Sequence, residues 1–513
     1  MAESSHPRLL RWAHSVLQPG FEGTTVPDWV RRRISEGLAS VVLFGRNIHG
    51  PEQVAALTAA LYAENPELVV AVDEEAGDVT RLEARTGASR PGNLALGTLD
   101  DIDVTEQVAR DVGRELHALG VTLNYAPSAD VNTNPLNPVI GVRSFGARPD
   151  VVSRHAAAWV RGLQSAGVAA CAKHFPGHGD TVVDSHLGLP RVSADAGTLA
   201  LTALPPFIAA MDAGVRAVMT AHLLVPAYDD RWPATLSRPV VGDLLRGELG
   251  FTGLIVTDAV EMGAVADRYG VPGAAVRAVA AGADAVCVGG GSAAEETTAL
   301  LADALVDAVR DGRLPERRLA EAAGRVREFA RWAGTLRRDA PGPSSSGALG
   351  TPGLGLAAAR RAVRVHQQPG RDTGFPLVGT PHVVELSPAT TPAIDPATPW
   401  GVAEPLRTMC PGTTSVRLGE QQLQSGEVEL LDRLVLRPAD GRPLVVVVRD
   451  AARYGWMSRA LTGLVRSRPD AFVVEMGVPA GRRPGAVYLA THGATRVSGI
   501  AAAEVLTGRT GLS

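Results

Sequence analysis

Three of the chain's twelve histidines, His174, His178 and His186, fall within 13 residues, in the segment CAKHFPGHGDTVVDSHLG (171–188). Lys173, Asp180 and Asp184 stand among them. Asp184 and His186 are two apart, so on an extended stretch their side chains share a face. A carboxylate beside an imidazole fixes its tautomer and raises its basicity, which suits a general acid/base near neutral pH. Two other uses stay open on spacing alone: a polar loop whose histidines satisfy backbone groups, and a metal site. Pro176, Gly177 and Gly179 disfavour a helix here, and with it the helical H-x-x-x-H geometry of a zinc centre.

A second candidate is Asp258 in GLIVTDAVEMG (253–263), at the end of an apolar run. It suits a nucleophile or base, or equally the N-cap of a following helix that carries Glu261. Four of only seven asparagines lie in LNYAPSADVNTNPLNP (123–138), followed by GVRSFG with Arg143. That density of Asn and Pro marks a long structured turn, in which Asp130, Asn132 and Arg143 could hold sugar hydroxyls or a carboxylate. In VDEEAGDVTRL (72–82), Asp73 and Arg81, with Glu74 and Glu75 between them, could bracket vicinal hydroxyls or form a solvated face. VGGGSAA (288–294) approaches a dinucleotide fingerprint but has no acidic residue on a second strand behind it, leaving a weak phosphate-loop reading. There is no G-x-S-x-G elbow and no Walker-type loop.

Composition sharpens one of these residues. Of the 50 basic residues, 49 are arginines and one, Lys173, is lysine. Arginine serves everywhere else, so the exception marks a site that needs a compact, rotatable ammonium. The net charge of -4 argues against a protein that gathers nucleic acid by field alone. Cys171, Cys287 and Cys410 are far apart and form neither a disulfide framework nor a C-x-x-C metal pair. The first 20 residues lack a signal-peptide core, and no run of 18 apolar residues occurs, so a soluble cytoplasmic protein without membrane segments is expected.

The elements that must carry these groups are legible as a repeat. Short apolar runs at 39–45, 68–75, 121–131, 168–179, 215–227, 253–262 and 283–291 alternate with helical patterns. Strands of this kind are parallel and buried on both faces, and over some 300 residues they favour a TIM-type (β/α)8-like barrel with one strand short or irregular. The candidate groups stand at the carboxyl ends of the runs, the face on which such barrels build active sites. A catalytic domain is expected over 1–336. The Pro/Gly/Ser-rich stretch 337–355 has linker composition. Beyond it, runs at 382–387, 414–419, 443–451, 471–477 and 486–493 predict a smaller α/β sandwich domain over 356–513.

Taken together, KHFPGHGDTVVDSH, with NPLNPVIGVRSFG before it and TDAVEMGAV after it, resembles glycoside hydrolase family 3, and more closely its β-N-acetylglucosaminidase branch. The resemblance covers most of residues 30–335. It implies Asp258 as the nucleophile, His186 as the acid/base and Asp184 as its partner in a dyad, in place of the usual pair of carboxylates in retaining glycosidases. Asp73, Arg81, Arg143, Lys173 and His174 match positions that bind the terminal sugar. The family's D-x-E-G-G-R-V-x-R reads here from Asp73 to Arg81 with Ala76 for a glycine and Asp78 for an arginine. The outer residues persist, while the reversed charge at Asp78 bears on the local ion pairing and the leaving-group preference.

The function so implied is a retaining exo-β-N-acetylglucosaminidase acting on cell-wall or chitin-type oligosaccharides, with no cofactor and no metal. Phosphorolysis by the same dyad is a close alternative. A Schiff-base lyase through Lys173 would have no use for the dyad or Asp258. A non-catalytic sugar-binding protein would show degraded catalytic positions, and Asp258, Asp184 and His186 are intact. Lys173→Arg is expected to impair activity while leaving folding intact.

Overall fold

The computed structural model describes residues 6–289, 294–339, 351, 353–369, 374–389, 391–424, 427–479 and 481–509. The chain divides into two compact units. The first comprises residues 1–75, 102–134 and 147–351, and the second 76–101, 135–146 and 352–513. Two segments from the earlier part of the sequence, 76–101 and 135–146, thus group with the later one. Most of the expected linker, 340–350 and 352, lies outside the described residues, as do 290–293 of the VGGGSAA stretch.

Among the described residues the first unit contains eight strands: β1 (Leu17–Pro19), β2 (Ser40–Leu43), β3 (Val69–Val72), β4 (Leu123–Asn124), β5 (Ala169–Phe175), β6 (Ala217–Thr220), β7 (Leu254–Thr257) and β8 (Val286–Val288). β2 to β7 form one parallel sheet in sequence order, β1 pairs in parallel with β8, and a bridge from Val256 to Ala285 connects β7 to the approach to β8. The result is a curled parallel sheet. Among the described residues no ladder joins β1 to β2; across that seam Ser40 Oγ donates to the Leu17 carbonyl at 3.2 Å.

β2 to β8 are the expected apolar runs, and every residue in them is buried, as strands covered on both faces must be. β1 was not foreseen. It has three residues, ends in Pro19 and follows directly on the helix His6–Val16, so it carries no periodicity to read. Val69 and Ala71, Ala169 and Cys171, Ala217 and Met219, and Leu254 and Val256 alternate along their strands into one core, which Val326, Phe329, Ala330 and Ala333 of the helix Glu316–Asp339 join. Alanine is the commonest residue of this core, in which the buried Tyr125 donates to Gln18 Oε1 at 2.6 Å.

The second unit is built on β9 (Arg364–Gln367), β10 (His382–Leu386), β11 (Thr414–Leu418), β12 (Leu444–Val448), β13 (Phe472–Glu475) and β14 (Val487–Ala490). Their order is β11-β10-β12-β13-β14-β9, parallel except for the antiparallel edge strand β9. Omitting β9, this is the 2-1-3-4-5 order of flavodoxin-like folds. Val384, Val446, Val473 and Tyr488 face one core with the helix Gly455–Ser467. Val383, Val445, Val474 and Leu489 face the other with the helices Ala403–Met409 and Arg496–Thr507. The sheet is therefore covered on both sides, as the expected sandwich requires. Among the described residues, no helix of either unit is long and apolar enough to cross a membrane.

Candidate active site

In the first unit the polar groups gather at the carboxyl ends of β3 to β7. The pairing of β5 with β6 shifts register between Ala172 and Phe175, a bulge of the kind that re-aims side chains at the end of a strand. Lys173 and His174 occupy this irregularity. Lys173 is 2% exposed, and its Nζ lies 2.6 Å from Asp73 Oδ1 and 2.7 Å from Glu75 Oε1, both just beyond β3. A single ammonium thus ties together two of the carboxylates that the sequence places in one acidic run.

His174 Nδ1 lies 2.7 Å from Asp130 Oδ2. Asp130 also accepts from the backbone N–H of His178 at 2.6 Å, from that of His174 at 3.2 Å and from Ser128 Oγ at 3.0 Å. Burial by itself raises the Asp130 carboxyl, but His174 and then His178 outweigh it and hold the group below the ordinary carboxylate range. Asp130, a sugar-binding candidate on sequence, is fully buried and anchors two histidines instead.

His178 is a fastener. Burial, followed by the charge of His174, lowers it to about 4, so the imidazole is neutral. Its Nδ1 is 2.8 Å from Thr181 Oγ1 and its Nε2 is 3.1 Å from Ser185 Oγ. Because the Thr181 hydroxyl donates to the His178 carbonyl, Nδ1–H donates to Thr181 and Ser185 donates to Nε2. Gly179 adds a steric requirement: a Cβ there would stand 1.8 Å from the Val131 carbonyl oxygen. The loop after β5 is therefore pinned by His178 and by a close backbone passage.

The pinned loop carries the dyad. His186 Nδ1 lies 2.7 Å from Asp184 Oδ1, and the same oxygen accepts from the His186 backbone N–H at 2.9 Å. Burial would raise Asp184; the bonds from His186 outweigh it and keep the carboxyl low and ionised. An ionised Asp184 on Nδ1–H leaves Nε2 as the nitrogen that exchanges protons.

Asp258 follows β7. Its own N–H donates to the Thr220 carbonyl at 3.1 Å, and Oδ1 accepts from Ala259 N–H at 2.8 Å. Burial would raise this carboxyl as well, but His174, His222 and His186, in that order, together with the Ala259 N–H, bring it below the ordinary value. An anionic Asp258 facing the field of three imidazoles is suited to nucleophilic attack on an electron-poor carbon.

His222, which sequence reasoning missed, stands just beyond β6. Its Nε2 is 2.9 Å from the Ala259 carbonyl and its Nδ1 2.9 Å from Thr235 Oγ1. Burial lowers it, so it is neutral, with Nε2–H donating to Ala259. The available signal was its place after an apolar run; a lone histidine in TAHLL has no neighbouring pattern to mark it.

Arg81 and Arg143 belong to the second unit. There, Arg81 Nη1 donates to the Ala393 carbonyl at 2.9 Å, and Arg143 Nη1 to the Val139 carbonyl at 3.1 Å. Asp78, the reversed charge, is buried in the same unit and pairs with Arg449 Nη2 at 2.6 Å. Of the predicted residues, the first unit thus brings together Lys173 with Asp73 and Asp184 with His186, and sets Asp258 in the field of His174 and His186.

Residues 24–329 match the model of the glycosyl hydrolase family 3 N-terminal domain. The chain is 39% identical over 286 residues to β-hexosaminidase A of Pseudoalteromonas piscicida, covering 51% of this chain and 47% of that protein. It is 36% identical over 369 residues to the β-hexosaminidase of Chromobacterium violaceum, covering 70% and 96%. The chain therefore spans about half the length of the first relative and nearly all of the second. Among solved structures, a glycoside hydrolase family 3 β-N-acetylglucosaminidase from Paenibacillus sp. str. FPU-7 matches with a TM-score of 0.84 and 34% identity over 98% of this chain and 97% of that one. With a matching domain, similar full-length relatives and an anionic aspartate beside a histidine dyad, the chain belongs to glycosyl hydrolase family 3, in its β-hexosaminidase branch.

Proposed function

We propose that the protein is a retaining exo-β-N-acetylglucosaminidase acting on cell-wall or chitin-type oligosaccharides. The observation that carries the reading is the pairing of an ionised Asp258 with an Asp184–His186 dyad held at 2.7 Å. In the first step an Asp258 oxygen attacks the anomeric carbon and the glycosidic C–O bond breaks. The departing oxygen takes the proton from Nε2 of the His186 imidazolium. In the second step, water gives a proton to the neutral His186 Nε2 and attacks the anomeric carbon from the side the leaving group vacated. The bond to Asp258 breaks, and the sugar leaves with its configuration retained. Asp184 stays ionised on Nδ1 throughout and stabilises the imidazolium whenever it forms.

In this reading Asp73, Lys173 and His174 bind the terminal sugar. The name of the Paenibacillus β-N-acetylglucosaminidase supports N-acetylglucosamine as that sugar. The test is release of a phenol from an aryl N-acetyl-β-glucosaminide, with the anomeric configuration of the first-formed sugar followed by NMR. Wild-type enzyme is expected to give the β-anomer first, and Asp258→Ala to fall to background. An α-anomer as first product, or substantial turnover by Asp258→Ala, rejects the covalent mechanism.

A further inference from the structure

We propose that the second unit carries a binding site of its own, on the sheet face beside the helix Gly455–Ser467, for a small ligand with an apolar body and an oxyanion head. The site is independent of the catalytic reading above.

The sheet's topology creates the space. β12, β13 and β14 lie side by side in sequence order. Right-handed crossovers therefore put the connections β12–β13 and β13–β14 on the same face of the sheet. The first connection is the helix Gly455–Ser467. The second, 476–486, holds no helix among its described residues, whereas the connections β10–β11 and β11–β12 each carry one. A parallel crossover ordinarily covers its strands with a helix, so beside Gly455–Ser467 the face of β13 and β14 is left open. A cavity of about 780 Å³ lies there, within the size range of small-molecule sites. Its described lining falls entirely within residues 368–488 of the second unit.

The lining has two chemistries. Leu461 and Val465 from the helix and Tyr488 from β14 form an apolar wall. Tyr488 is 7% exposed, and among the described residues its hydroxyl has no hydrogen-bond partner. A buried phenol ordinarily finds one, and here a ligand in the cavity would supply it. Burial, followed by the charge of Glu475, pushes the Tyr488 phenol up, so it stays a donor.

Arg466, Arg482 and Arg483 line the same cavity and are exposed. Among the described residues none of these three guanidiniums has an ion pair or a hydrogen bond. In the same unit Arg360, Arg417, Arg449 and Arg468 are each paired with a carboxylate. The acid of the lining, Glu475, is engaged elsewhere. It accepts from the N–H groups of Asp450 and Gly477 at 2.8 Å each and from that of Ala451 at 3.2 Å. Burial, followed by the charge of Asp450, pushes its carboxyl up to about 7. The cavity thus offers three cations and a hydroxyl donor to an incoming anion. A guanidinium fork matches a carboxylate or a phosphate through two parallel bonds, so the head group is one of these, and the apolar wall selects the body.

The test uses three probes that share one body: 1-naphthyl phosphate, 1-naphthoate and the neutral 1-naphthol, each titrated by calorimetry into the full chain. At least one anion is expected to bind about tenfold or more tightly than 1-naphthol, and the tighter of the two names the head group. Arg482→Ala/Arg483→Ala is expected to weaken that anion by about tenfold or more while leaving 1-naphthol binding and the thermal midpoint unchanged. Val465→Trp, which fills the cavity, is expected to weaken all three probes. Anions that bind no better than 1-naphthol overturn the proposal. So does an anion affinity that the arginine double variant leaves intact, because the binding then lies elsewhere on the chain, and this holds even if Val465→Trp fails to fold.

Discussion

Replacing Lys173 by arginine keeps the charge and is expected to impair catalysis severely. The ammonium lies 2.6 Å from Asp73 and 2.7 Å from Glu75 in a position 2% exposed. A guanidinium is larger and planar and cannot place one nitrogen at that point without pushing its neighbours apart. Overpacking a buried site of this kind costs about 1–3 kcal/mol, so the variant folds but is less stable than a surface lysine would suggest. The neighbour pushed is Asp73, which the proposed function assigns to the sugar, and displacing such a group by ~1 Å is expected to lower kcat/KM by about 100-fold. Lys173→Met isolates the structural share: it retains most of the stem but leaves both carboxylates without the ammonium, and breaking a buried pair costs about 3–5 kcal/mol. With total stabilities of about 5–15 kcal/mol, the methionine variant approaches the unfolding threshold and the arginine variant does not, which makes arginine the substitution to assay. The measurements are urea unfolding and kcat/KM on the aryl N-acetyl-β-glucosaminide. A folded Lys173→Arg enzyme within about threefold of wild-type kcat/KM refutes the reasoning and returns the single lysine to chance.

Other residues give sharper single outcomes. In the proposed mechanism Asp184→Asn removes the charge that stabilises the His186 imidazolium, so it is expected to lower kcat by about 10²–10⁴-fold with little change in unfolding midpoint; near-native kcat removes the dyad from the mechanism. Burial lowers His178 to about 4 in the fold, against an ordinary value of 6.5, so its contribution is complete above pH 6.5 and declines as pH falls from 6.5 towards 4. That contribution amounts to about 3 kcal/mol, and in His178→Gln the stability measured by urea unfolding between pH 7 and 5 should fall less steeply than in wild type. The depressed Asp130, Asp184 and Asp258 act at the other end: their contribution is present above the ordinary carboxylate pKa and is lost only as pH falls below it. Gly179→Ala drives a methyl to 1.8 Å from the Val131 oxygen, so it should destabilise by about 1–3 kcal/mol and lower kcat through the dyad's loop; a wild-type profile on both counts denies that the loop is pinned there.

Much of this molecule is written locally. Strands such as VVAV and LIVT are short, rich in β-branched residues and free of charge, a composition that suits a sheet covered on both faces, so β2 to β8 and β10 to β14 were legible as runs, while the exposed edge strand β9, RVHQ, was not. Asp184 and His186 were legible as a pair from their spacing, but it is a turn, in which Leu187 N–H donates to the Asp184 carbonyl, and not the expected extended stretch that brings them to 2.7 Å. The lone lysine was visible by count alone. What lay beyond reach were contacts made across the sequence. β1, with three residues and a proline, has no pattern and takes its place by pairing with β8, some 270 residues later. The partners of Lys173, 100 and 98 residues away, and the burial of Asp130 under His174 depend on which strand ends are neighbours. His222 gains its influence on Asp258 only because β6 and β7 are adjacent. Asp78 looked like a departure until Arg449, 371 residues on, supplied its counter-charge. Side-chain type and spacing determine which chemistry is possible, because they act over a few residues. Tertiary structure decides which groups carry it out, because burial and charge at each strand end come from residues far away in the chain.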